Sequence, residues 1–180
     1  MSNSFPRLGK PAPLFEADVV RFDSRKKQIF SDTISLNKII EEKKWSVLFF
    51  YARDFSSLCP TEIHSFNRRI KDFEKANCVL VGCSTDSKNS HKAWMEKPRT
   101  KGGIDKLSYP LMADPSLRIS TSYGVLQRDL GQALSSNTKI FYCGKNVIAK
   151  NLKNYKKFVS NEIIIWDNFY SNDYCPRRFF

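Results

Sequence analysis

Hydrophobic residues form two continuous runs in the first half of the chain. Residues 45–51 and 78–84 are mainly apolar, which is typical of strands buried on both faces of a sheet. Between the runs, apolar residues recur at steps of three and four, which predicts a helix over residues 59–75 with one buried face. That face consists of Ile63, Phe66, Ile70 and Phe73. Strand, helix and strand in this order predict a parallel βαβ unit with a right-handed crossover.

Weaker patterns predict further elements of an α/β fold, with a central mixed sheet flanked by helices. The predictions in chain order are a strand at 15–19, a turn at 21–27, a strand at 28–34, helices at 35–42 and 87–96, a glycine-containing loop at 99–106 and a short helix at 115–122. Apolar triplets at 140–142 and 147–149 predict a hairpin with Cys143 in its turn. Residues 160–169 fit a helix, and residues 163–166 fit a strand equally well.

Length and charge narrow the classes of function. The 180 residues correspond to a single domain, 1–180, and they include no run of about 18 apolar residues, so no transmembrane helix is expected. A formal net charge of +12 would suit nucleic acid or a membrane surface, but the lysines and arginines are spread along the chain in short runs. The sequence therefore predicts a solvated basic surface without a specific nucleic-acid or membrane partner.

The cysteine content points to free or reactive thiols. The five cysteines include no C-x-x-C pair, and residues 1–10 lack the apolar middle of a secretion signal. An odd number of cysteines without a secretion signal favours a reducing compartment over a structural disulfide framework, so we expect a cytoplasmic protein. The cysteine spacings suggest no zinc site, and His64 and His91 supply no second cluster of ligands, so neither a metal nor a cofactor is predicted.

Cys59 is the strongest candidate for chemistry. It follows a buried strand and a short polar turn, and it lies at or just inside the predicted start of a helix. Ser56 or Ser57 can cap this helix, and Pro60 suits its first turn. Unpaired backbone N–H groups and the positive end of the helix dipole both favour a thiolate at such a place. The alternative interpretation is an inert buried thiol.

The segment around Cys59 resembles the active-site motif of the peroxiredoxins. That motif reads Pro-x-x-x-Thr/Ser-x-x-Cys-Pro-Thr-Glu, and Ser56, Cys59 and residues 60–62 match it. Other segments are also similar to the family: 9–20, 83–94, 109–126, and a Tyr-Cys-Pro at 174–176 that resembles the resolving-cysteine end of the typical two-cysteine subgroup. The resemblance covers nearly all of residues 9–126 and is thinner beyond them.

The resemblance implies a fold, an activity and partners. The fold would be thioredoxin-like with peroxiredoxin additions, and residues 160–180 would form a C-terminal arm. The activity would be a thiol-dependent peroxidase, acting on hydrogen peroxide and organic hydroperoxides and recycled by thioredoxin or a similar reductant. The sulfenic acid of Cys59 would form a disulfide with Cys175 of another subunit. A homodimer would then be required, and a ring of dimers is left open.

The resemblance also implies roles for other residues. Ser56 would donate a hydrogen bond to the thiolate and the peroxide, and Glu62 would orient a cation. In the family an arginine precedes the hairpin strand and holds the thiolate and the peroxide, but residues 133–139 contain none. Arg128 and Lys139 are the nearest candidates to replace it, although a lysine lacks the bidentate guanidinium group.

These departures from the family predict a weakened enzyme. Ala52 stands where the motif has its first proline, so the peroxide pocket is expected to be looser. Without the arginine the thiolate loses a favourable charge interaction. The alternative to a working peroxidase is therefore a redox sensor or a chaperone-like oligomer that keeps the fold without efficient turnover.

Overall fold

The computed structural model describes residues 12–56, 59–133, 140–143 and 163–166. For Cys59 and for the last two segments it describes the backbone only. The predicted strand at 147–149 and the segment with Cys175 lie outside the described residues.

The described chain contains both strands and helices. The strands are β1 (Glu16–Asp23), β2 (Gln28–Ser35), β3 (Trp45–Phe50), β4 (Cys78–Ser84), β5 (Leu111–Ala113), β6 (Leu126–Gln127), β7 (Gln132–Ala133), β8 (Ile140–Cys143) and β9 (Ile163–Trp166). The α-helices are α1 (Leu36–Glu41), α2 (Cys59–Arg68), α3 (Ile70–Lys75), α4 (Lys88–Glu96) and α5 (Arg118–Ser122), with short 3-10 turns at Arg99–Lys101 and Arg128–Leu130.

Seven of the described strands form one mixed sheet in the order β2-β1-β5-β4-β3-β8-β9. Strands β3, β4 and β5 are parallel at its centre, β1 and β8 run antiparallel to their inner neighbours, and β9 is parallel to β8. Strands β6 and β7 form a separate antiparallel pair. The prediction of an α/β fold with a central mixed sheet is therefore confirmed.

Separate hydrophobic clusters cover the two faces of the sheet. One cluster joins Phe49 of β3 to Ile63 and Phe66 of α2 and to Trp94 of α4. The other joins the neighbouring Phe50 to apolar residues of α1 and α5. Since successive side chains of a strand point to opposite faces, a continuous apolar run such as β3 can serve both clusters.

The predicted βαβ unit is confirmed. Strands β3 and β4 pair in parallel over their lengths, from Trp45 opposite Cys78 to Phe50 opposite Cys83. Gly82 in β4 gives the Phe49 ring its space, because a Cβ there would lie 2.7 Å from the Cζ atom of Phe49. The ring of Phe49 stacks on that of Phe66 at a centroid distance of 4.4 Å, which fixes α2 against the sheet.

The prediction of one helix over residues 59–75 is wrong, because the helix breaks at Arg69. This residue has φ −102° and ψ 7°, and its N–H donates to the carbonyl of Phe66 at 2.9 Å. Such a three-residue bond tightens the turn, and α3 then begins at Ile70. The predicted apolar face is retained, since Ile63, Phe66 and Phe73 are buried and Ile70 is partly buried.

Several element boundaries differ from the predictions. The predicted turn at 21–27 is shorter, because β1 continues to Asp23, whose carboxylate accepts the N–H groups of Arg25 and Lys26 (2.8 and 3.1 Å). The helix predicted at 115–122 begins only at Arg118. The carboxylate of Asp114 accepts two N–H groups of this first turn, at 2.7 and 3.2 Å.

Strands β8 and β9, at one edge of the described sheet, contradict two further predictions. Cys143 lies at the end of β8, opposite Ser46, and not in a turn. The helix considered at 160–169 is wrong at its centre, because β9 pairs with β8. Backbone hydrogen bonds to a neighbouring strand decided between helix and strand there, and a local pattern cannot supply them.

Candidate active site

Cys59 is the first residue of α2, as the sequence predicted. The helix follows β3 in the chain, so its N-terminus lies at the carboxyl end of a central parallel strand. Ligand sites in open α/β sheets form at this edge. The first backbone N–H groups of a helix have no partner within it, and they favour a negatively charged sulfur nearby. The thiol group of Cys59 itself lies outside the described part of the structure.

Ser56, in the segment before this helix, has a buried hydroxyl. Its Oγ atom is inaccessible to solvent and has no hydrogen-bond partner among the described residues. Ser56 forms no side-chain hydrogen bond with a described residue of α2, so its role as a helix cap stays a prediction, and Ser57 lies outside the described residues. A buried hydroxyl without a partner costs about 1–3 kcal/mol, so a bound group that uses it would explain its retention.

The other predicted site residues are either exposed or outside the described residues. Glu62 is exposed on the first turn of α2. Arg128 opens the 3-10 turn between β6 and β7 with an exposed side chain. Lys139 and Cys175 lie outside the described residues. The roles of all four therefore stay predictions. Ala52, by contrast, is described and buried, with 5% of its surface exposed.

A buried polar network holds the segment between β3 and α2 at Asp54, and the sequence did not indicate this network. The Tyr51 hydroxyl donates to Asp54 Oδ1 at 2.9 Å, and Asp54 Oδ2 lies 2.8 Å from His91 Nδ1. The N–H of Asp54 donates to Asp86 Oδ2 at 2.8 Å, and that oxygen also accepts the Ser84 hydroxyl at 2.7 Å. Asp54 and His91 are 37 positions apart, so no local spacing pointed to this pair.

Electrostatics keep Tyr51 a hydrogen-bond donor. Burial raises the pKa of its hydroxyl well above the usual value, and the nearby Asp54 carboxylate raises it further. The phenol therefore stays protonated throughout the physiological range. Within the described part of the chain, no group of three or more His, Cys, Asp or Glu side chains could hold a metal ion. That same part has no helix long and apolar enough to cross a membrane.

The thiols of Cys78 and Cys83 on β4 are unsuited to catalysis, in agreement with the absence of a predicted role. Burial raises the pKa of Cys78 to about 12 and that of Cys83 well above the usual value. The thiolate is the reactive form, so both groups are nearly unreactive at neutral pH.

We expect iodoacetamide at pH 7 to alkylate Cys59 first and to leave Cys78 and Cys83 unmodified until the protein unfolds. Peptide mass spectrometry over time measures this order. Because both thiols ionise more readily in the unfolded chain, they stabilise the fold below the usual thiol pKa. This contribution falls as the pH rises from about 9 to about 12. Rapid labelling of the native β4 thiols would contradict the assignment.

Comparison with known proteins assigns the chain to a family. The family model described as AhpC/TSA matches residues 8–158. Peroxiredoxin-2 of Pongo abelii is 43% identical over 133 residues, which are 74% of this chain and 71% of that protein. Among the curated relatives compared, the matched segment spans between 47% and 71% of their own length.

Solved structures agree with this assignment. The reduced 2-Cys peroxiredoxin of Plasmodium vivax superposes with a TM-score of 0.67 at 29% identity and covers 84% of each chain. The mitochondrial 2-Cys peroxiredoxin of Plasmodium falciparum has a TM-score of 0.67 at 30% identity, over 84% of this chain and 93% of the other. The resemblance inferred from the motif, the thioredoxin-like fold and the peroxidase class are therefore confirmed at the level of the family. The chain belongs to the AhpC/TSA family and, within it, to the peroxiredoxins.

Proposed function

We propose that this protein is a thiol-dependent peroxidase that reduces hydrogen peroxide and organic hydroperoxides through Cys59. The observation that carries the proposal is the start of α2. There Cys59 is the first helical residue, and Ser56, three positions before it, has a buried hydroxyl without a partner among the described residues. Membership of the peroxiredoxins supports the same chemistry.

The first chemical step is an in-line displacement at oxygen. The Cys59 thiolate attacks one peroxide oxygen and forms an S–O bond while the O–O bond breaks. The other oxygen leaves as water or an alcohol after it accepts a proton, and the sulfur is oxidised to a sulfenic acid. Negative charge moves onto the leaving oxygen during this step, so fixed donors accelerate it. In this proposal the Ser56 hydroxyl and the backbone N–H of Cys59, the first residue of α2, are the donors.

The second step is resolution by Cys175. Its thiol condenses with the sulfenic acid of Cys59 in another subunit, which forms a disulfide and releases water. A thioredoxin-like dithiol then reduces this disulfide. The working unit is a homodimer, which leaves a ring of dimers open as a larger assembly, and residues 160–180 form the arm of a single domain over 1–180. In this cycle Glu62 orients a cation, for which Arg128 is the candidate.

Peroxide consumption by the reduced protein tests the proposal. The assay contains thioredoxin, thioredoxin reductase and NADPH, and it follows NADPH oxidation after hydrogen peroxide or an organic hydroperoxide is added. Turnover that depends on all components supports the peroxidase. A folded protein without turnover and without a peroxide-induced linked dimer would reject it.

We predict that Ser56→Ala slows the oxidation of Cys59 by peroxide about 10²-fold, the usual effect of losing one donor to a developing oxyanion. The free energy of unfolding should stay unchanged or rise slightly, because the substitution removes a buried hydroxyl that has no partner among the described residues. Ser56→Thr, which keeps the hydroxyl, is the matched control. Stopped-flow kinetics and thermal unfolding give the two readouts. Equal rates for the alanine and threonine variants would argue against a role for the hydroxyl.

A redox sensor or chaperone-like oligomer is the second candidate function. The specific observation in its favour is the absence of an arginine in residues 133–139. The described alternative, Arg128, has an exposed side chain in the 3-10 turn between β6 and β7. Slow alkylation of Cys59 at neutral pH would favour this candidate, since a thiol whose thiolate is weakly stabilised is mostly protonated there. Fast alkylation would favour the enzyme.

The cellular compartment is also a proposal. We place the protein in the cytoplasm because of its free thiols. The structural relative from Plasmodium falciparum is titled mitochondrial, and a curated relative from Spinacia oleracea is named chloroplastic. Fractionation of the native source would decide between these compartments.

A further inference from the structure

The loop between β3 and α2 is tied to the fold at one residue, Asp54. Its side chain and its backbone both form bonds in the interior. Oδ1 accepts the Tyr51 hydroxyl at 2.9 Å, Oδ2 lies 2.8 Å from His91 Nδ1, and the N–H donates to Asp86 Oδ2 at 2.8 Å. Asp54 is 5% exposed and His91 is fully buried. Each contact reaches a different part of the chain: the end of β3, helix α4, and the segment after β4.

His91 links this loop to the centre of the sheet. Its Nε2 atom lies 3.2 Å from the carbonyl oxygen of Met112 in β5, while Nδ1 faces Asp54. A carbonyl oxygen only accepts, so Nε2 carries a proton. A hydrogen bond between Nδ1 and Asp54 Oδ2 also needs a proton on one of these two atoms. The side chain thus joins β5 to the loop through two hydrogen bonds that share a rigid ring.

The backbone after Asp54 has a conformation that must be held in place. Phe55 has φ 57°, in the left-handed region that bulky residues avoid, and its side chain is 49% exposed. Strained residues of this kind persist only where the surrounding structure imposes them. The half-exposed ring contacts Trp94 at a centroid distance of 5.8 Å and the Lys97 ammonium at 5.4 Å. The backbone itself is held by the three bonds at Asp54, which directly precede Phe55. The next residue is Ser56, whose buried hydroxyl has no hydrogen-bond partner among the described residues.

We propose that Asp54, His91 and Asp86 are positioning residues that hold the loop 52–56 so that the Ser56 hydroxyl meets the peroxide beside Cys59. The proposal rests on the peroxidase function proposed above, and it adds residues outside the active-site motif. These residues touch neither peroxide nor thiolate. They act through the backbone of the loop, so they affect reaction with peroxide much more than reaction with an electrophile that needs no donor.

The test compares two reactions of Cys59 in the full-length reduced protein. Stopped-flow kinetics give the rate of oxidation by hydrogen peroxide, and peptide mass spectrometry gives the rate of alkylation by iodoacetamide. The ratio of these rates reports how well the donors are placed, because general access and thiolate content affect both reactions. Substitutions that only weaken the fold leave the ratio unchanged.

Two matched pairs of variants address the loop. Asp54→Ala removes both side-chain contacts, whereas the amide of Asp54→Asn still accepts from Tyr51 and donates to a neutral His91. Asp86→Ala removes the acceptor of the Asp54 N–H, whereas Asp86→Asn keeps an acceptor oxygen. Asp86 is only partly buried, so its variants fold even where Asp54→Ala does not. Val19→Ala, a fully buried position in the core on the opposite side of the sheet, is the control for lost stability.

We expect each alanine variant at 54 or 86 to lower the ratio of rates about tenfold or more, since small displacements of a catalytic group have effects of this size. Each asparagine variant and Val19→Ala should stay within about twofold of the parent. An unchanged ratio in Asp86→Ala, beside an active parent protein, would overturn the positioning role alone. A parent protein that peroxide does not oxidise would overturn the peroxidase proposal and the positioning role with it.

Discussion

Replacing Cys59 by serine is expected to abolish peroxide consumption, with a loss of about 10³-fold or more. A serine hydroxyl stays protonated at neutral pH and cannot displace oxygen from a peroxide as a thiolate does. The helix start raises reactivity only for a group that can ionise there. NADPH oxidation coupled to thioredoxin and its reductase measures the loss.

Cys175→Ser separates the two steps of the proposed cycle. This variant should still be oxidised once by peroxide at Cys59, but it should form no disulfide-linked dimer and should not turn over with thioredoxin. Non-reducing gels show the dimer, and a sulfenic-acid probe reports the first step. A peroxide-induced dimer that persists in Cys175→Ser would assign resolution to another cysteine. Unchanged consumption in Cys59→Ser would refute the peroxidatic role itself.

The second large effect is expected at Phe49, and it concerns stability. Phe49→Ala should lower the free energy of unfolding by about 3–5 kcal/mol, because the side chain is fully buried and leaves a cavity between the sheet and α2. Its ring stacks on Phe66 at 4.4 Å and meets the edge of Tyr109 at 5.8 Å. Domains unfold at a cost of about 5–15 kcal/mol, so this loss is a large part of the total.

Denaturant unfolding of the two variants Phe49→Ala and Phe30→Ala measures the difference. Phe30 lies on the edge strand β2 with 37% of its surface exposed, and its truncation should cost about 1 kcal/mol or less. Similar losses for the two variants would mean that Phe49 is not the central contact between β3 and α2.

Local patterns predicted most of the elements around the site. The limits of β4 agree with the apolar run, and the end of α4 agrees with the helix predicted before Pro98. Ser87 caps α4 by accepting the N–H of Ser90 at 3.2 Å. These features depend on residues close together in the chain, and the motif at Cys59 is of the same kind.

Two predictions of backbone conformation failed, and pairing with a distant strand decided one of them. The break at Arg69 interrupts a sequence that has helical periodicity on both sides, without a proline or a glycine at the break. The strand Ile163–Trp166 owes its conformation to pairing with β8, more than 20 residues earlier in the chain. Neither backbone choice could be predicted from the residues at those positions.

The sequence by itself determined the candidate nucleophile, its place at the start of a helix after a buried strand, and the family. The first two depend on residues within a few positions of Cys59, where local hydrogen bonding and helix geometry apply. The family depends on that motif together with further similar segments along residues 9–126. Only the tertiary structure decided what supports that site. Asp54 meets His91 and Asp86 because β3, β4 and β5 lie side by side in the sheet. Long-range strand pairing sets these contacts, and buried polar groups then select partners for their hydrogen bonds wherever the fold places them.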